Sequence, residues 1–355
     1  VFGDAGAGLA LLADGTQRDN RPLPALESEA LSAVTRQDDP VAAIKSVRAF
    51  RRRELFRVAV SDVLHEADVV TTAAGLTDVT AATLNAALQT AVTSVAAGGK
   101  LAIRCLVVGL GRFGGAEMSY ASDADVMFVH DALSGTSESE AARQGIAVAN
   151  ELRRLLGLPS PDPELALDAD LRPEGRNGPM SRSLASCRVY YDKWSAPWEA
   201  QALLRARPVA GDPELGAEFL AIIDPLRYPN GGLSVDHVRE MRRLRARTES
   251  ERLPRGTEPT RHTKLGPGGL SDVEWTAQLL QMQHGAGIEE LRTTSTLPAL
   301  SAAAAAGLLS ESDEAELRAA GQMTDVLQTE IDLKRKAAQA QALQAEAAAE
   351  GNKAR

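Results

Sequence analysis

Two short apolar runs, Cys105-Leu106-Val107-Val108 and Val126-Met127-Phe128-Val129, bracket a glycine-rich segment, Gly109 to Gly115, and the pair Asp123 and Asp125. Valine-rich runs of this length, bounded by turn residues, read as short buried strands, so the glycine loop joins one strand to the next. Side chains alternate faces along a strand, and two carboxylates two positions apart therefore project to the same side. Two converging carboxylates are hard oxygen ligands suited to Mg²⁺, which takes its remaining ligands from water and substrate phosphates. The missing ligands point to a nucleoside triphosphate.

Gly109, Gly111 and Gly114 also match the Gly-x-Gly-x-x-Gly fingerprint of dinucleotide-binding folds. That fingerprint requires a crossover helix after the third glycine and an acidic residue about 20 positions further on. Only Gly115 to Ser122 separate Gly114 from Asp123, too few for a βαβ crossover, and Ser119-Tyr120-Ala121-Ser122 is turn chemistry. No Gly-Lys-Ser/Thr follows the glycines, which excludes a P-loop.

A third carboxylate is offered by Leu165 to Pro173, where apolar and acidic residues alternate with strand period and Asp168 and Asp170 share a face. One of them beside Asp123 and Asp125 completes a three-acid site for two metal ions, an arrangement that activates an attacking hydroxyl and stabilises leaving pyrophosphate. Buried acids without a cation would cost several kcal/mol in desolvation and mutual repulsion.

The 355 residues suffice for two or three domains, and a chain opening on Val1 is expected to be part of something longer. A net charge of −9 and a pI near 5.3 argue against nucleic acid as a partner. The 2 cysteines, Cys105 and Cys187, have neither zinc nor disulfide-framework spacing and suit a reducing cytoplasm. No apolar run has transmembrane length, and the first residues lack the pattern of a signal peptide.

Residues 1–40 read as a linker remnant. Asp39-Pro40 then starts a helix through Ile44, Val47, Phe56 and Val63, in which Arg51-Arg52-Arg53 is expected to be a solvated face. A second helix is expected over 78–97, with Leu84, Leu88, Ala91 and Val95 on its stripe and Gly98-Gly99 as its stop, and a third over 138–156. The order strand, strand, helix, strand gives an α+β domain over 41–185. Helices dominate from 186 to 330, and 331–355 is a helix-prone tail. Val235 to Leu253 is a basic helix whose arginines either pair with neighbouring acids such as Glu240 and Glu249 or face an anionic ligand. Ser271-x-x-Glu274 reads as a capping box, and Lys264, before the Gly266 to Gly269 turn, is open to a phosphate contact.

The pattern Gly-x-Gly-Arg-x-Gly-Gly-x-Glu-x-x-Tyr-x-Ser-Asp-x-Asp, followed by Leu-Asp-Ala-Asp-Leu-Arg-Pro-Glu-Gly at 167–175, resembles glutamine synthetase adenylyltransferase. Tyr190-Tyr191, Trp198 to Arg207, Gly211-Asp212-Pro213 and Lys264 to Trp275 follow in the family's order, so the resemblance extends from about residue 42 to 300. The wording from Glu117 to His130 is similar to the C-terminal, AMP-adding half of actinobacterial members.

The resemblance implies a nucleotidyltransferase fold of the DNA polymerase β-like type, a small mixed sheet with helices, followed by an all-α domain. It implies AMP transfer from ATP to a tyrosine of glutamine synthetase, with Asp123, Asp125 and Asp168 on Mg²⁺, and a PII-type nitrogen sensor as regulator. Asp170 stands where many relatives carry arginine and is expected to pair with an arginine such as Arg172. Backbone amides around Gly109, Gly111, Gly114 and Gly115 would cradle the phosphates. Arg112 either adds charge there or points to solvent, while Ser122 supports the turn and touches a phosphate oxygen. Phosphorolytic removal of AMP and a binding module without turnover remain as alternatives; Lys334 to Arg355 matches nothing in the family's pattern.

Overall fold

A computed structural model of the chain describes residues 18–64, 67–253, 258 and 262–323. Its centre is a mixed sheet of β1 (Ile103–Gly109), β2 (Ala124–Ala132), β3 (Leu167–Asp168), β4 (Ser181–Ser183) and β5 (Arg207–Gly211). The strand order is β3-β2-β1-β5, with β4 also on β2; β1 pairs antiparallel with β2 and β5, while β3 and β4 run parallel to β2. Register is fixed by the alternation of apolar side chains, because both faces of the sheet are covered. Val107, Val126 and Phe128 enter one core with Leu26, Phe50, Leu84 and Leu152. Leu106, Val108, Met127 and Val129 enter a second core with Leu215 and Phe219. A one-residue slip would exchange the two sets.

The first core is capped by α1 (Leu23–Thr35), α2 (Pro40–Val63), α3 (Val69–Ala96) and, after the small α4 turn (Gly111–Gly114), α5 (Glu138–Leu156). Asp39 caps α2 by accepting from Val41 N and Ala42 N at 3.3 and 3.0 Å, with Pro40 at the first helical position. α3 begins at Asp68, earlier than its apolar stripe suggests. Its threonines explain why: Thr77, Thr80, Thr83 and Thr90 return their hydroxyls to carbonyls four residues back at 2.7–3.0 Å, so a polar-looking helix is buried nearly all round.

Three expectations are corrected here. Within the expected linker, residues 23–35 form α1, whose Leu26, Ala30 and Val34 are buried; the rest of that stretch up to residue 17, and the tail over 331–355, lie outside the described residues. The arginine run is not a solvated face. Arg48 donates to the carbonyls of Leu156 and Leu158, and Arg51 to those of Pro163 and Glu164, so both guanidinium groups satisfy carbonyl oxygens at and beyond the end of α5. Arg52 pairs with Asp162, and Arg53 with Glu29 and Glu54.

The third correction concerns the boundary near 185, since the sheet does not end there. β5 is its edge strand, and α6 (Leu184–Lys193), α7 (Pro197–Leu203) and α8 (Pro213–Arg227) follow, with α6 and α8 covering the second core. Beyond them, α9 (Val235–Arg252), α10 (Leu270–His284) and α11 (Thr296–Ala305) form the helical region. In α9, Arg239 and Arg247 pair with Asp236 and Glu251 of the same helix at 3.1 and 2.9 Å, and buried Arg245 reaches Asp272 at 2.8 Å.

Candidate active site

The start of β2 organises the site. Leu110 N donates to the Asp125 carbonyl at 2.9 Å, tying the glycine loop to β2, and the β2–β3 register places Asp125 opposite Asp168. Residues in register on neighbouring strands point to the same face, so this pairing brings the third acid beside the second. Asp123, exposed and one residue before the strand, borders two recesses at once. One of about 230 Å³ is lined by Arg112, Ser119, Ala121, Ser122, Asp125 and Lys264. The other, about 500 Å³, runs past Asp168, Asp170, Arg172 and Arg176.

Burial pushes the Asp125 carboxyl up to about 6, and the charges of Asp123 and Asp168 push in the same direction, while Lys264 opposes them. Burial first, and then the neighbouring carboxylates, disfavour the charged form of this group, and a cation would favour it. Among the described residues no three histidine, cysteine or carboxylate side chains close into a finished metal cage. The donors that do gather are all hard oxygens, which fits Mg²⁺, an ion that relies on waters and phosphates rather than an all-protein shell.

Asp168 and Asp170 do not share a strand face, as the alternation implies. β3 ends at Asp168, whose Oδ1 accepts from Asp170 N at 2.7 Å and turns the chain. Asp170 is then held by Arg176 at 2.6 Å, with Arg172 at 3.8 Å, which leaves Asp168 as the acid facing Asp125.

The glycines divide by role. Gly111 has φ of +51°, and a Cβ there would lie 2.1 Å from Asp125 Oδ2, so only glycine lets the loop pass under that carboxylate. The other glycines answer to packing. Gly109 closes β1, and the Gly114 and Gly115 amides donate to the Leu110 and Gly111 carbonyls. A Cβ on Gly114 would meet the Arg205 carbonyl at 1.9 Å, and one on Gly115 would meet Arg205 Nη1 at 2.0 Å. Ser122 Oγ accepts from Ser119 N at 2.9 Å and holds the turn before Asp123. Arg112 Nε donates to the Glu117 carbonyl at 2.5 Å, and its side chain borders the smaller recess.

One cluster escaped the sequence reading. Glu117, two residues past the glycines, accepts from Thr296 N at 2.5 Å, from Thr296 Oγ1 at 3.1 Å and from Arg205 Nη1. Arg205 also donates to Thr296 Oγ1 at 2.7 Å and to Glu274 Oε1 at 3.2 Å, and Ser295 Oγ donates to the Gly115 carbonyl at 2.7 Å. The capping-box reading of Ser271 and Glu274 is corrected accordingly. α10 is capped two residues earlier, at Gly269, with no side-chain cap, and Glu274 faces inward, where burial pushes its carboxyl up and Arg205 pulls it back. A signal was present: Glu117, Arg205 and Glu274 are charged residues inside three separate motif blocks.

The family model described as glutamate-ammonia ligase adenylyltransferase matches residues 9–222, and that of GlnD PII-uridylyltransferase matches 239–350. The chain is 53% identical over 324 residues to the bifunctional glutamine synthetase adenylyltransferase/adenylyl-removing enzyme of Streptomyces coelicolor, covering 87% of this chain and 32% of that protein. Against the similarly named protein of Mycolicibacterium smegmatis it is 48% identical over 320 residues, 90% of this chain and 31% of the relative. The Mycobacterium tuberculosis protein gives 50% over 279 residues, 78% and 28%. The chain thus spans about a third of the length of these relatives. With residues 9–222 matched by the family model and most of its length by these relatives, the chain belongs to the glutamate-ammonia ligase adenylyltransferase family.

Proposed function

We propose that this chain transfers AMP from ATP to a tyrosine hydroxyl of glutamine synthetase, releasing pyrophosphate, and so regulates nitrogen assimilation in the cytoplasm. The observation that carries the reading is the gathering of Asp123, Asp125 and Asp168 at the mouth of β2, beside a glycine loop whose Gly111 leaves room for the Asp125 carboxylate. Asp123, which borders both recesses, Asp125 and Asp168 are the residues that would hold Mg²⁺. Bound there, the ion would neutralise phosphate charge and lower the barrier to oxygen attack.

The protein's own groups then have defined tasks. In this reading the triphosphate lies in the recess bordered by Arg112 and Ser122, beside the turn at Gly111, while Gly109, Gly114 and Gly115 shape the loop through packing rather than through free amides. The tyrosine oxygen attacks the α-phosphorus, the bond from that phosphorus to the β-phosphate bridging oxygen breaks, and the electron pair leaves with pyrophosphate. A phenol ionises near pH 10, so its deprotonation needs help, which in this reading comes from a nearby metal ion or from Asp168 as base. A PII-type nitrogen sensor is the proposed regulator, supported by the match of residues 239–350 to a PII-uridylyltransferase model. No described helix is long and apolar enough to cross a membrane.

The relatives' name also includes adenylyl removal, which supports a second reading in which the same acids serve phosphorolysis. Intact-mass measurement of glutamine synthetase after incubation with this protein, ATP and Mg²⁺ separates the two. The gain of an AMP group per subunit is expected, with at least a ~100-fold loss of rate in Asp123→Asn and Asp125→Asn. Loss of AMP from adenylylated synthetase with phosphate, and no gain in the forward assay, would favour removal. Silence in both directions would sink both readings.

A further inference from the structure

We propose that Lys264, carried by the helical region, binds the triphosphate of the nucleotide site, so that the site is complete only when that region is docked on the glycine loop. The inference rests on the nucleotide reading above and adds a residue from outside the catalytic sheet. Lys264 lines the same recess as Arg112, Ser122, Asp123 and Asp125. An ammonium and a guanidinium lining one recess together with two carboxylates suit a ligand that is anionic toward the basic groups and shares a cation with the acids.

The position of Lys264 is imposed from several directions. Its carbonyl accepts from Ser271 N at 3.0 Å and the Thr263 carbonyl from Leu270 N at 2.9 Å, so the segment is fastened to the first turn of α10. Arg245 of α9 donates to the Leu265 carbonyl at 3.2 Å. One turn into α10, Glu274 joins Arg205 and through it Glu117, which ends the glycine loop. The segment carrying the lysine is therefore tied to the glycine loop by a chain of ion pairs, while its own side chain is exposed.

The test is calorimetric titration of the whole chain with ATP and Mg²⁺, with adenosine, and with Mg²⁺ alone, for wild type, Lys264→Ala, Lys264→Met and Lys264→Arg. Thermal melts would check the fold of each. The expected result is about a tenfold or greater loss of ATP affinity in the alanine and methionine variants, partial recovery in the arginine variant, and unchanged adenosine binding. Unchanged ATP affinity with tighter Mg²⁺ binding would overturn the proposal and make Lys264 merely a counter-ion to the acids. Equal losses for ATP and adenosine would overturn it as well, pointing to a distorted pocket. If wild type binds no ATP, the nucleotide reading itself falls and this inference with it, an outcome distinct from the other two.

Discussion

Asp125 shows how the site trades stability for chemistry. Its carboxyl, raised to about 6 by burial and then by Asp123 and Asp168, holds a proton more tightly in the folded chain than in the unfolded one. Stability from this group is therefore complete below the ordinary carboxylate range near 4 and is lost as pH rises through about 6. In metal-free buffer at pH 7.5, Asp125→Asn should be more stable than wild type by roughly 1–3 kcal/mol, and the gap should close near pH 4. Urea melts at the two pH values measure this, and a variant less stable at pH 7.5 would contradict the electrostatics. Asp168 and Asp170 offer a second residue-scale contrast. Asp170 is held by Arg176 while Asp168 faces Asp125, so Asp168→Asn should lower AMP transfer by about two orders of magnitude and Asp170→Asn by less than about tenfold. Equal losses in initial-rate assays would mean that the turn after β3 does not separate their roles.

Among the elements, the join between the glycine loop and the helical region is the tightest. The Arg205 side chain is only 6% exposed, and its partners Glu117 and Glu274 are 18% and 17% exposed. Removing one member leaves a largely buried charge without its partner, which costs about 3–5 kcal/mol, whereas replacing the whole cluster by apolar groups costs far less. Glu117→Ala should therefore lower stability by about 3 kcal/mol, and combining it with Arg205→Met should recover part of that loss. Strict additivity in chemical denaturation would show that the two residues do not interact. Packing makes Gly114 equally unforgiving, because a Cβ there meets two backbone carbonyls, those of Arg205 and Gly109, at 1.9 and 2.6 Å. Gly114→Ala must shift backbone to fit.

For the whole molecule, the sheet needs chain from both sides of the boundary expected near 185. β5 supplies the outer partner of β1, and Leu215, Phe219 and Ile223 of α8 cover the second face. A chain ended at residue 186 should show no cooperative thermal transition by circular dichroism, because it exposes Leu106, Val108, Met127 and Val129 together; a sharp transition would place the fold boundary where the sequence does. The sequence by itself determined what is local: two buried strands from valine-rich runs, a loop that must turn tightly, and a capped helix at Asp39-Pro40. Such features depend on spacing along the chain, and neighbouring residues hold them. Only the tertiary structure decided which downstream acid faces Asp125, why Gly114 and Gly115 lack side chains, and that Arg48 and Arg51 are buried. Each of these depends on a group distant in sequence: the β2–β3 register, Arg205, and the chain at and beyond the end of α5. Hydrophobic period does not encode such partners, and charged residues that look solvated in a linear chain become internal once burial can be offset by a fixed hydrogen-bonding partner.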